Sequence, residues 1–62
     1  MTEAEYLQDL ARTMRPVVVR LRSGEVVRGA VEYYDRAFIR LTRLGEPNLF
    51  IFKKDIKYIY EE

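Results

Sequence analysis

The apolar residues of this chain repeat with one period before Pro16 and with another after it, so the two stretches cannot form the same kind of structure. Tyr6, Leu7, Leu10, Ala11 and Met14 recur at the spacing of a single helical face. Thr2 and Glu5 stand as a capping box, in which the hydroxyl accepts from the backbone at Glu5 and the carboxylate reaches back. Glu3, Glu5 and Asp9 come early and Arg12 and Arg15 come late, an order that suits the helix dipole. The pattern predicts a helix over about 2–14, ended by Pro16, which disfavours helical geometry at Arg15.

Beyond Pro16 the period is two. Val17, Val19 and Leu21 alternate with Val18, Arg20 and Arg22, predicting a first strand with one apolar face and one partly basic face. Ser23-Gly24 is a turn signal, and 25–34 reads as a long second strand. Gly29 lies inside it, where a bulge or sharp bend is expected. A short break at Asp35-Arg36 leads into a third strand over 37–43. A polar turn over 44–48 leads into a short apolar strand over 49–53. Lys54-Asp55 then connects tightly to a last strand over 56–60. Five strands within about 45 residues are too little for an ordinary two-sheet sandwich. A bent sheet closing into a small barrel fits instead, with the Gly29 bend letting one strand serve both halves and the helix covering one open end. The expected architecture is mostly β and occupies one domain, 1–62.

At 62 residues such a core is marginal and needs a supplement. There is no Cys, hence no disulfide, and with no His either, a zinc site built from Cys or His is excluded. The same absences remove Cys nucleophiles, Ser-His relays and imidazole acid–base chemistry, so neither catalysis nor a cofactor is expected. Oligomerisation is the remaining supplement. The last two strands are short and apolar, and free edges on them invite aggregation. Pairing them with a neighbouring copy, head to tail, closes a ring.

The longest apolar run, 49–52, is far from a membrane span. The acidic start, Met1 to Glu5, lacks the basic and apolar regions of a signal peptide, so a soluble cytoplasmic protein is expected. Net charge is +1, from 11 Lys and Arg against 10 Asp and Glu. Bulk charge therefore does not point to nucleic acid, and any such role must rest on local patches.

Residues 21–35 carry Gly24, four residues, Gly29, five residues and Asp35, with apolar positions between. This stretch resembles the first motif of the Sm/LSm family. Archaeal and eukaryotic members carry an Asn shortly after that Asp and an Arg-Gly pair later. Here Ile39 stands four past Asp35, and no Arg-Gly pair occurs near Phe52. Phe52-Lys53-Lys54-Asp55-Ile56 instead resembles the Tyr-Lys-His-x-Ile motif of the bacterial Hfq branch. The helix ending at Pro16 and the Val-rich first strand are similar to that branch as well.

The resemblance implies an Sm-like, strongly bent five-stranded antiparallel barrel with an N-terminal helix. It also implies a homo-oligomeric ring, usually a hexamer, that acts as an RNA chaperone and post-transcriptional regulator bringing small RNAs to messenger RNAs. Three RNA surfaces follow from it. On the helix-bearing inner ring the motif Lys maps to Lys53, the motif His to Lys54, a Gln to Arg36, and the base-stacking aromatic to Ala37. On the opposite face the stacking Tyr maps to Arg20, a Lys to Val26, a Gln to Arg28, and an apolar residue to Glu25. Of the lateral Arg cluster, Arg12 and Arg15 remain. The sequence ends at Glu62, so the long tail of some members is not expected.

Other readings stand beside these. Tyr33, Tyr34, Tyr58 and Tyr60 read first as core or interface residues, although each has the chemistry of a stacking platform. Arg20, Arg22, Arg28, Arg40 and Arg43 read either as one RNA surface or as a solvated face pairing with Glu25 and Glu32. Asp35 reads as a turn-capping acceptor. The competing function is a structural or protein-interaction ring with reduced or no RNA binding.

Overall fold

The computed structural model describes residues 1–62. Helix α1 (Glu3–Thr13) is followed by strands β1 (Val17–Leu21), β2 (Val26–Tyr34), β3 (Phe38–Thr42) and β4 (Leu49–Phe52). A short 3₁₀ turn (Lys53–Asp55) then leads into β5 (Ile56–Glu61). The capping box forms as expected: the Glu5 N–H donates to the Thr2 hydroxyl at 3.2 Å, and the Thr2 N–H donates to the Glu5 carboxylate at 2.9 Å. The helix ends one turn position before Pro16 acts on it. Met14 adopts a left-handed backbone (φ 54°, ψ 35°) and donates its N–H to the Leu10 carbonyl. That conformation swings Met14 off the helical stripe, which corrects its expected place on the apolar face: it is exposed, whereas Leu7 and Leu10 are buried.

All five strands are antiparallel and form one sheet in the order β4-β3-β2-β1-β5. β2 serves two halves. Its residues up to Gly29 pair with β1 (Val17 opposite Gly29), and those from Ala30 pair with β3 (Ala30 opposite Thr42). The bend falls at Gly29 because nothing larger fits: a Cβ there would lie 2.5 Å from the Thr42 carbonyl oxygen and 2.9 Å from Leu41 Cγ. A register shift between Val31 and Tyr33 adds curvature, leaving Glu32 as the extra residue. β4 and β5 lie at opposite ends of the sheet, and each keeps one edge unpaired.

The concave side of the bent sheet and the underside of α1 enclose the core. It consists of Leu7, Leu10, Val17, Val19, Val27, Val31, Ile39, Leu41 and Ile51. Leu10 is fully buried, and truncating such a residue costs roughly 2–5 kcal/mol. Two expectations about burial change. Val18, assigned by alternation to the basic face, is buried on that face: in the ladder it stands between Arg28 and Tyr60, whose longer side chains flank it. Tyr33, Tyr58 and Tyr60, read first as core or interface residues, are about half exposed, and only Tyr34 packs against the core.

Candidate nucleic-acid interface

The seven cations expected to meet RNA fall into three groups, each positioned by a different part of the fold. The first surrounds the turn after β4. The Lys53 N–H donates to the Ala37 carbonyl at 2.8 Å, which seats Lys53 beside the Asp35–Ala37 loop as the motif comparison implies. That loop is built by Asp35. One carboxylate oxygen accepts from the N–H groups of Ala37 (2.8 Å) and Phe38 (2.9 Å), and the other accepts from the Tyr33 hydroxyl at 3.3 Å. The N–H of Phe38, then that of Ala37, hold the Asp35 carboxyl below the usual carboxylate range. Arg36 is left exposed at the tip with no carboxylate partner. Lys54 lies 5.8 Å from the centre of the Phe52 ring, a cation–π distance. Lys53 itself is not free: its Nζ donates to Glu3 at the start of α1 at 2.7 Å. The pair sits at the mouth of a cleft of about 270 Å³ lined by Tyr6, Leu7, Ile39, Ile56 and Ile59.

The second group is the rim at the end of α1. Arg12 pairs with one oxygen of Asp9 at 2.7 Å, and Arg15 pairs with the other. Arg15 also faces Glu61 at 3.3 Å, and Glu61 accepts from the Tyr6 hydroxyl at 3.4 Å. The hydrogen bond from Arg12 leads the causes that lower the Asp9 pKa; the charge of Arg15 adds to it. Arg12 and Arg15, expected as a lateral RNA-binding pair, are thus brought together by a shared carboxylate that cancels much of their field.

The third group is the outer face of β2, β1 and β5. Arg20 and Arg28 both point there, as alternation requires. The Arg20 Nε donates to the Tyr58 hydroxyl at 3.1 Å and one Nη to the Gly24 carbonyl at 3.2 Å. Tyr58 and Tyr60 stand two residues apart on the same face, with ring centres 6.1 Å apart and planes tilted by 37°. Arg28 approaches a carboxylate only at the long distance of 3.8 Å, to Glu62. No ion pair joins Arg20, Arg22, Arg36, Lys54 or Lys57 to any acid.

The five strand arginines do not share one surface. Arg20 and Arg28 lie together. Arg22 ties the β1–β2 hairpin to the 3₁₀ turn, its Nε donating to the Lys54 carbonyl at 2.7 Å. Arg40 pairs with Glu32 at 3.3 Å and lies 5.7 Å from the Phe50 ring centre. Arg43 folds onto its own loop, donating to the Pro47 carbonyl at 2.8 Å. The Glu3–Lys53 pair is a feature that residue spacing missed, and the shared face of Tyr58 and Tyr60, both weighed as platforms, was not apparent from it. Only the polar–apolar alternation of β5 hinted at the tyrosines, and a bulge at Lys57, where Arg20 and Leu21 face Tyr58 and Ile56, obscured it.

No protein-family model matches the sequence, and no curated protein matches it. Solved structures do. An Hfq protein from Anabaena sp. superposes with a TM-score of 0.86 at 24% identity, over 95% of this chain and 93% of that one. A second structure, the pleiotropic translational regulator Hfq, superposes with a TM-score of 0.90 at 23% identity, over 97% of this chain and 89% of that one. The chain therefore has the Sm-like fold of Hfq from end to end, as the two sequence motifs implied.

Proposed function

We propose that copies of this chain join head to tail into an Hfq-like ring, a homohexamer in the simplest case, that binds single-stranded RNA without catalysis. In this reading it serves in the cytoplasm as an RNA chaperone and post-transcriptional regulator between small RNAs and messenger RNAs. The observation that carries the reading is the pair of open edges. β4 and β5 end the sheet on opposite sides, and each leaves one backbone edge unpaired. Joining β4 of one copy to β5 of the next satisfies both backbone edges and repeats every cation around an axis. Weak single contacts from Lys53, Lys54 and Arg36 on one side, and from Arg20 and Arg28 on the other, then add by avidity.

The test is a titration of labelled uridine-rich and adenine-rich oligonucleotides at two salt concentrations. Binding at low salt is expected. With roughly six phosphates of a single strand neutralised, affinity falls by about 300-fold between about 50 and 200 mM salt. A second reading, a ring that serves as a protein-interaction module, is favoured by one observation, the neutralisation of Lys53, Arg12 and Arg15 by Glu3, Asp9 and Glu61. Absence of binding to either oligonucleotide at low salt would select it.

A further inference from the structure

We infer that Tyr58 and Tyr60 of β5 form a two-base stacking platform for single-stranded RNA, with Arg20 as the residue that holds Tyr58 in place. The inference rests on the RNA-binding reading above and names the side chains that take the bases.

Three features of the outer face support it. Both rings are about half exposed, on a strand whose inner face already supplies Ile56 and Ile59 to the core, so packing does not require aromatics at these positions. Their centres are 6.1 Å apart with planes tilted by 37°, so the two rings are neighbours without lying in a parallel face-to-face stack. Tyr58 is also fixed: the Arg20 Nε donates to its hydroxyl, and Arg20 is itself anchored on the Gly24 carbonyl. A ring held before the ligand arrives loses little conformational freedom on binding.

The electrostatics select the occupant. Arg20 has no acidic partner, so its remaining N–H groups stay available to phosphate or to a base edge. Arg28 lies on the same face as Tyr60, across Val18 in the ladder, and its guanidinium approaches a carboxylate only at 3.8 Å, to Glu62. Alternating aromatic rings and guanidinium planes suit unstacked bases on a charged backbone, whereas a neutral protein partner would leave Arg20 unmatched. Strand addition in the proposed ring pairs the backbone edge of β5, whereas the Tyr58 and Tyr60 side chains stand on the face of the sheet that carries Arg20. Stacking tolerates every base, so the platform adds affinity with little sequence choice.

The experiment compares a base-bearing oligoribonucleotide with an abasic sugar-phosphate chain of equal length. Wild type is expected to bind the base-bearing strand at least tenfold more tightly. The Tyr58→Ala/Tyr60→Ala double variant, checked for unchanged assembly by sedimentation, is expected to lose most of that preference while still binding the abasic chain. The protein has no Trp, so a Tyr58→Trp variant carries a single indole that reads the site directly. Its fluorescence is expected to be quenched by the base-bearing strand and not by the abasic one, which also decides the matter if the double variant fails to assemble. Equal wild-type affinity for the two strands, a preference that survives in the double variant, or an indole that does not respond to bases would overturn the platform and leave RNA binding standing. Absence of binding to either strand at low salt would overturn the RNA reading and the platform with it.

Discussion

At the end of α1, Arg12 and Arg15 converge on Asp9, and Arg15 reaches Glu61 as well. On the outer face of β1 and β2, Arg20 meets no acid and is steered instead by a phenol and a carbonyl. The residue type is the same and the outcome is opposite. The helix places Arg12 three positions after Asp9 on one side, where the carboxylate captures it, and Arg15, just past the helix end, folds back onto the other oxygen. A strand sends neighbours to opposite faces, and on its outer face Arg20 lies beside Val26 and Tyr58, neither of which carries charge. The helix thus turns its arginines into a structural clasp, and the sheet leaves its arginine available for a ligand.

That contrast needs the bend that separates the two regions, so the largest effect is expected at Gly29. Gly29→Val drives a side chain into the Thr42 carbonyl and Leu41, and should lower stability by about 3 kcal/mol, read as a lower denaturant midpoint. Unchanged stability would show that the bend is made elsewhere. The contrast itself is tested by paired substitutions. Arg20→Ala is expected to weaken binding of single-stranded RNA about tenfold, the scale of one hydrogen bond to a charged group, while Arg12→Ala leaves it nearly unchanged. Equal losses would place both regions in the interface. Asp9→Asn sharpens the point: freeing Arg12 and Arg15 should raise affinity a few-fold at low salt and not at high salt.

The smallest effect is expected with pH. The folded pKa values of Glu5, Asp9 and Asp35 all lie below their usual ones. The stability these groups contribute is therefore complete above the unfolded carboxylate range, about pH 4, and is lost as pH falls through the depressed folded values. The denaturation midpoint should stay flat from neutrality to about pH 5 and fall below about pH 4. Asp9→Asn should blunt that fall, whereas Arg20→Ala should leave its shape intact. A midpoint that rises on acidification would contradict the assignment.

Much of this architecture was legible in the residues. Thr2 and Glu5 cap α1, the period changes at Pro16, and Gly29 marks the strand shared by both half-sheets. Each of these is a local signal with a local cause. The charge state of the surface was not legible, because it depends on partners far apart in the chain. Lys53 meets Glu3 and Arg15 meets Glu61 only once the fold has closed. Alternation puts Val18 on the basic face, and it is buried there, because alternation says which way a side chain points and not what its neighbours cover. The face of Tyr58 and Tyr60 was hidden by the extra residue Lys57, which breaks the two-residue period within β5.

The proposed ring depends on open edges of β4 and β5 that meet between copies, and sedimentation of the purified chain at micromolar concentration tests this most directly. The expected result is one species near six times the 7.4 kDa of a single chain, persisting on dilution. A stable 7.4 kDa particle across the same concentrations would contradict it.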